Sequence, residues 1–162
     1  MEKVTLNKDM KLSEHFTLGE LTKTQYVTKD GNIPSRVAID NLKNLCENWL
    51  EDLRYSYNTL YPRDYSQEEM PLVINSGYRS PEVNKMAGGS ATSNHLTGCA
   101  VDIRVAGFEQ AIRYASILLD ISDGTKRDFD ELYIERNKSG SHWIHFAVRP
   151  KDNRRKGNFI LT

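Results

Sequence analysis

The stretch Leu132-Tyr133-Ile134-Glu135-Arg136-Asn137-Lys138-Ser139-Gly140-Ser141-His142-Trp143-Ile144-His145-Phe146-Ala147-Val148 decides how the chain is read. Two short runs rich in aromatic and β-branched residues flank Asn137-Lys138-Ser139-Gly140, a hairpin-type connection. Side chains alternate faces along a strand. Ile144, Phe146 and Val148 therefore point to a core, with Trp143, His145 and Ala147 on the opposite face. If the two strands pair, Ile134 joins the core face, and Tyr133 and Glu135 join His145.

Upstream, Leu72-Val73-Ile74 and Ala100 to Val105 read as two further strands. Helices are expected from Leu18, after a Thr17–Glu20 capping-box spacing, and from Pro34-Ser35. The second is the longest. Leu42, Leu45, Cys46, Trp49, Leu50 and Leu53 recur every three or four residues and form one buried stripe. A short helix follows Ser80-Pro81 to about Met86, and Phe108 to Leu119 has helical periodicity. Tyr61 to Glu69, Gly88 to Asn94 and Gly124 to Asp130 read as loops. The expected fold is α+β, with a small, mostly antiparallel sheet and helices packed on one side.

The chain has 162 residues, enough for one domain spanning 1–162. Twenty-two basic and 22 acidic side chains give a net charge of zero. That balance lacks the basic footprint of a general nucleic-acid binder and argues against a polybasic membrane anchor. No apolar run approaches the roughly 18 residues of a membrane span. Met1 to Thr5 has no apolar core of a secretory signal, so a cytoplasmic chain without an export signal is expected. Cys46 and Cys99 form no CxxC pair and are expected to be free thiols.

Four histidines are present: His15, His95, His142 and His145. Asp102 follows His95 by seven residues. Along a regular strand that spacing separates the side chains by about 23 Å. The two can share a metal only if the chain folds back between them, and Gly98 permits such a turn. Otherwise they are a loop histidine and a solvated aspartate. His142 lies three residues before His145, so on a regular strand it faces the other way. It joins His145 only from a loop or across a bulge.

Ser93-Asn94-His95-Leu96-Thr97-Gly98-Cys99-Ala100-Val101-Asp102 resembles the SxHxxGxAxD motif of the D-Ala-D-Ala carboxypeptidase family of zinc peptidases. Trp143-Ile144-His145 resembles that family's late W-x-H element, and Ser76-Gly77-Tyr78-Arg79-Ser80 its SGYRS segment. Leu12-Ser13-Glu14-His15-Phe16 resembles the opening segment of its carboxypeptidase subgroup. The four elements occur in the family's order from Leu12 to Val148. The family includes carboxypeptidases, dipeptidases and phage cell-wall endopeptidases. It shares its fold with the Hedgehog signalling domain and the LAS enzymes.

The resemblance implies one zinc ion held by His95, Asp102 and His145. Three protein ligands leave a fourth position for water, the arrangement of a catalytic site. Zinc would lower the pKa of that water towards about 7. Arg79 would hold a substrate carbonyl or carboxylate and offset charge in the tetrahedral intermediate. Two family branches carry an acidic general base three residues before the last histidine, where this chain has His142. Glu135 is the preferred base, with His142 as proton donor or oxyanion partner; the reverse assignment stays open. Ser93 is either an orienting residue near the ligands or a plain loop serine. His15 is read as structural, and Cys99 as a small buried residue.

The implied function is hydrolysis of peptide bonds in the peptidoglycan stem, with a peptidoglycan peptide as partner and the protein acting as a monomer. A phage-type lysin held in the cytoplasm until release fits the expected lack of an export signal. The rival readings are a cytoplasmic dipeptidase, a non-catalytic zinc-bound wall-binding domain and a phage structural protein.

Overall fold

A computed structural model describes residues 5–63 and 68–162. The middle of the expected Tyr61–Glu69 loop, residues 64–67, and the first four residues lie outside them. The hairpin forms as its alternation requires: β3 (Glu131–Arg136) pairs antiparallel with β4 (His142–Ala147). β4 also pairs antiparallel with β2 (Ala100–Arg104), and β2 with β1 (Ile74–Ser76). A fifth strand, β5 (Lys156–Leu161), lies parallel to β3 and completes a five-stranded sheet in the order β1-β2-β4-β3-β5. The α+β expectation holds.

β5 is not foreseen by the sequence reading, for a physical reason. It is an edge strand whose side chains are almost all exposed, so it has no inward apolar alternation to read.

Helix α1 (Leu18–Leu21) begins with the full Thr17–Glu20 capping box. Ser35 caps α2 (Arg36–Leu45), which continues through a π-helical segment at Cys46–Leu50 into α3 (Glu51–Leu60). The expected single long helix is therefore interrupted in its middle. Ser80 caps α4 (Pro81–Met86). Helix α5 (Phe108–Thr125) is six residues longer than expected and takes in Gly124.

The core joins the α2–α3 stripe to one face of the sheet. Leu42, Leu45, Trp49, Leu50 and Leu53 meet Val101, Ile103, Ile144 and Phe146, all fully buried. Trp49 packs its ring 5.1 Å from that of Phe146. Burying side chains of this size contributes about 1.5–3 kcal/mol each, so this face fixes how the sheet lies. The opposite face carries Asp102, Tyr133, Glu135, Trp143 and His145 in adjacent register. Both cysteines are buried and free. Among the described residues no helix is long and apolar enough to cross a membrane.

Candidate metal centre

The seven-residue gap between His95 and Asp102 closes through a 3₁₀ turn over Asn94–Thr97. Ser93 starts it, its hydroxyl accepting from the His95 backbone N–H at 3.2 Å. Gly98 ends it in the left-handed region, at φ 72°. The chain then reverses into β2 and brings Asp102 back under His95. A Cβ on Gly98 would sit 2.3 Å from the Ala38 carbonyl oxygen. Glycine is needed there both for its conformation and for the close approach of α2.

Register supplies the third member, since His145 of β4 pairs directly with Asp102 of β2. One ligand atom from each of His95, Asp102 and His145 falls within 4.8 Å of the others. Asp102 Oδ1 lies 3.4 Å from His95 Nε2 and 3.1 Å from His145 Nδ1. Tetrahedral zinc with bonds of about 2.0–2.1 Å places its ligand atoms about 3.3 Å apart. The donor set and its spacing fit such an ion.

The outer ring nitrogens are already engaged. His95 Nδ1 lies 2.7 Å from the Gly77 carbonyl oxygen, to which it can only donate. That bond orients the ring and turns Nε2 towards Asp102, free of any other partner a metal would have to displace. His145 Nε2 lies 3.1 Å from Glu131 Oε1, which likewise leaves Nδ1 for a metal. The Tyr133 ring stacks on the His145 imidazole at 5.3 Å.

Glu131 is itself held by Asn94 at 2.7 Å and by the Tyr133 hydroxyl at 2.9 Å. Next to it, Asp130 is completely buried and accepts from Arg154 at 2.7 and 2.9 Å and from Asn94 at 2.7 Å. Arg149 Nε lies 3.2 Å from the same carboxylate. The expected polar loop thus ends in a buried ionic hub. It ties the segment after β4 to the turn that carries His95.

The charges follow from this packing. Burial alone would push the Asp102 carboxyl up, but the two imidazoles outweigh it and hold it well below the usual carboxylate range. Burial opposes charge on His145, yet hydrogen bonds to Asp102 and Glu131 raise it to about 9. The His145 bond, working against burial, draws Glu131 down to about 2. Glu135 moves the other way: burial and then the nearby Asp102 raise its carboxyl, only partly offset by His145 and by its bond from Trp143.

Most of the expected site residues converge. Glu135, His145, Tyr133 and Glu131 line one cleft of about 260 Å³, and the Trp143 indole N–H donates to Glu135. Arg79 donates from Nη2 to Asp102 at 3.1 Å and from Nε to the Ser76 hydroxyl at 3.0 Å. His142 does not join them. The β3–β4 register is unbroken, so its ring lies on the opposite side of the sheet, 5.6 Å from Phe108 of α5. The bulge that would have turned it is absent.

Ser93 serves as the turn's cap. Cys99 is buried, and burial pushes its thiol up. His15 is tied to α3: its backbone N–H, its ring and the Ser13 hydroxyl all meet the Glu51 carboxylate within 2.7–2.8 Å. Glu131, Asp130 and Asn94 are site residues that the sequence reading misses. Period-two alternation back from Glu135 and Tyr133 reaches Glu131 once β3 is started one residue earlier.

The sequence profile of a family described as Peptidase M15 matches residues 14–122. No curated protein matches the chain.

Proposed function

The chain belongs to the peptidase M15 family, and from that premise we propose that it is a zinc-dependent peptidase of peptidoglycan stem peptides. The observation that carries the reading is the convergence of His95 Nε2, Asp102 Oδ1 and His145 Nδ1, with both outer ring nitrogens already bonded elsewhere. Zinc held there supplies Lewis-acid activation of water and of the scissile carbonyl.

The chain's own residues do the rest. Glu135 stands in the cleft beside His145, and its raised carboxyl suits a group that takes a proton from water and returns it to the leaving amine. The Trp143 indole N–H fixes one of its oxygens. Arg79 is braced by Asp102 and Ser76, and a guanidinium has five donors in all, so others remain to steady the developing oxyanion. Glu131 holds the His145 ring in one orientation.

The test is a digest of purified peptidoglycan, with and without a chelator, read by mass spectrometry. Products that vanish with the chelator, and with His145→Ala alongside loss of about one equivalent of zinc, support the reading. They also identify the bond and separate carboxypeptidase from endopeptidase action. Zinc retention with no product from any wall fragment would replace it with the non-catalytic binding domain.

A further inference from the structure

A groove of about 520 Å³ opens on the β1 side of the metal cluster, away from Glu135. Its walls include Lys23, Arg79 and Arg104, together with Gln25, Asn75 and Ser76, and none of its lining residues is acidic. In a chain with 22 basic and 22 acidic side chains, three cations around one groove are a local excess. Arg79 is partnered by Asp102. Among the described residues the Arg104 side chain bonds only to the neutral Asn75 amide oxygen, at 3.2 Å, and neither it nor Lys23 meets a carboxylate.

We propose that this groove is a carboxylate-binding subsite of the substrate, with Arg104 and Lys23 as its specificity-determining cations. The inference deepens the peptidase reading and rests on it. Arg104 lies two residues along β2 from Asp102, on the same face, a distance of about 6.8 Å along the strand. A peptide extending from the metal spans at most about 3.3–3.6 Å per residue. That separation is the span of about two residues, so a carboxylate close to the scissile bond is within reach of Arg104. It is either a C-terminal carboxylate or a side-chain carboxylate. Arg79, bonded to both Asp102 and Ser76, joins the metal centre to the groove. A planar guanidinium pairs with a carboxylate through two parallel bonds, and a lysine adds a point charge.

The experiment compares three peptides: acetyl-L-Lys-D-Ala-D-Ala as the free acid, its C-terminal amide, and the amide carrying D-glutamate in the last position. Binding is read by calorimetry on chelator-treated protein, and kcat/KM on the zinc-loaded protein. The wild type is expected to favour one carboxylate peptide over the plain amide about tenfold, and the favoured peptide names the source of the carboxylate. Lys23→Gln with Arg104→Gln should erase that preference, leaving affinity for the plain amide and zinc content unchanged. Arg104→Lys alone, which keeps the charge, should retain part of it. Equal binding of all three peptides by the wild type overturns the subsite, as does a preference that survives the double substitution. A preference that disappears with the double substitution while no peptide is ever cleaved upholds the subsite and overturns the peptidase reading.

Discussion

Glu131 Oε1 lies 3.1 Å from His145 Nε2, on the side of the imidazole opposite Asp102. The carboxylate thus holds the ring that presents Nδ1, and it does so from inside a network of Asn94, Tyr133 and Arg154. Loss of such an outer partner typically weakens metal binding by 10–100-fold. Glu131→Gln should lower zinc affinity by about that factor in a competition titration, with the melting temperature of the zinc-loaded protein little changed. An unaltered zinc affinity would show that the ring is held in place without Glu131.

Glu135 and His142 separate cleanly by place. Glu135 faces the cleft beside His145, whereas His142 packs near Phe108 across the sheet. Glu135→Gln should therefore reduce kcat by about 10²–10⁴-fold with zinc content intact. His142→Ala should leave kcat within a few fold and its pH profile unmoved. Steady-state assays of the two variants decide, and a dead His142→Ala with an active Glu135→Gln would reverse the roles.

Much of this site is legible in the amino-acid sequence because it depends on period-two alternation. The residues facing His145 across the hairpin, Tyr133 and Glu135, follow from counting. The fold-back between His95 and Asp102 is legible only as a permission, through Gly98; the 3₁₀ turn that uses it depends on Ser93 as cap and on α2 packing against the glycine. What stays hidden is long-range. Asp130 reads as one more polar loop residue, yet its partners are Arg154, Arg149 and Asn94, 19 to 36 positions away. β5 has no inward apolar alternation; Pro150 and Asp152-Asn153 signal a turn before it, but it is its parallel pairing to β3 that defines it. His142 is ambiguous in sequence because a single bulge would turn it to the metal, and the regular register settles its face.

Removing the metal should expose a pH dependence of stability. In the metal-free cluster His145 is raised from 6.5 to about 9 by Asp102 and Glu131, against the effect of burial. A raised base stabilises the fold fully below its unfolded pKa and loses that contribution as pH rises through the folded value. The melting temperature of chelator-treated protein should therefore fall between pH 6.5 and about 9. Zinc must displace the same proton, so its binding at pH 7.5 should release about one proton, measurable by calorimetry in buffers of different ionisation enthalpy. A flat melting curve across this window would mean that the Asp102–His145–Glu131 chain carries no net charge coupling.

Gly98 and Gly88 offer a controlled comparison. Both are left-handed, at φ 72° and 74°, so alanine meets similar backbone strain at each, about 1–2 kcal/mol. They differ in what surrounds them. Nothing lies within 4 Å of a Cβ at Gly88, while one at Gly98 would meet the Ala38 carbonyl oxygen at 2.3 Å. The atom met is backbone and cannot rotate away, so relief requires the 3₁₀ turn and α2 to part, at a further cost of about 1–3 kcal/mol. For a protein of this size each kcal/mol shifts the melting temperature by about 2–4 °C. Gly98→Ala should thus melt several degrees below Gly88→Ala. Because the same turn presents His95 to Asp102, Gly98→Ala should also bind zinc more weakly, whereas Gly88→Ala should bind it as the wild type does. Equal melting temperatures and equal zinc affinities for the two variants would mean that the turn yields without strain and that α2 does not hold His95 in place.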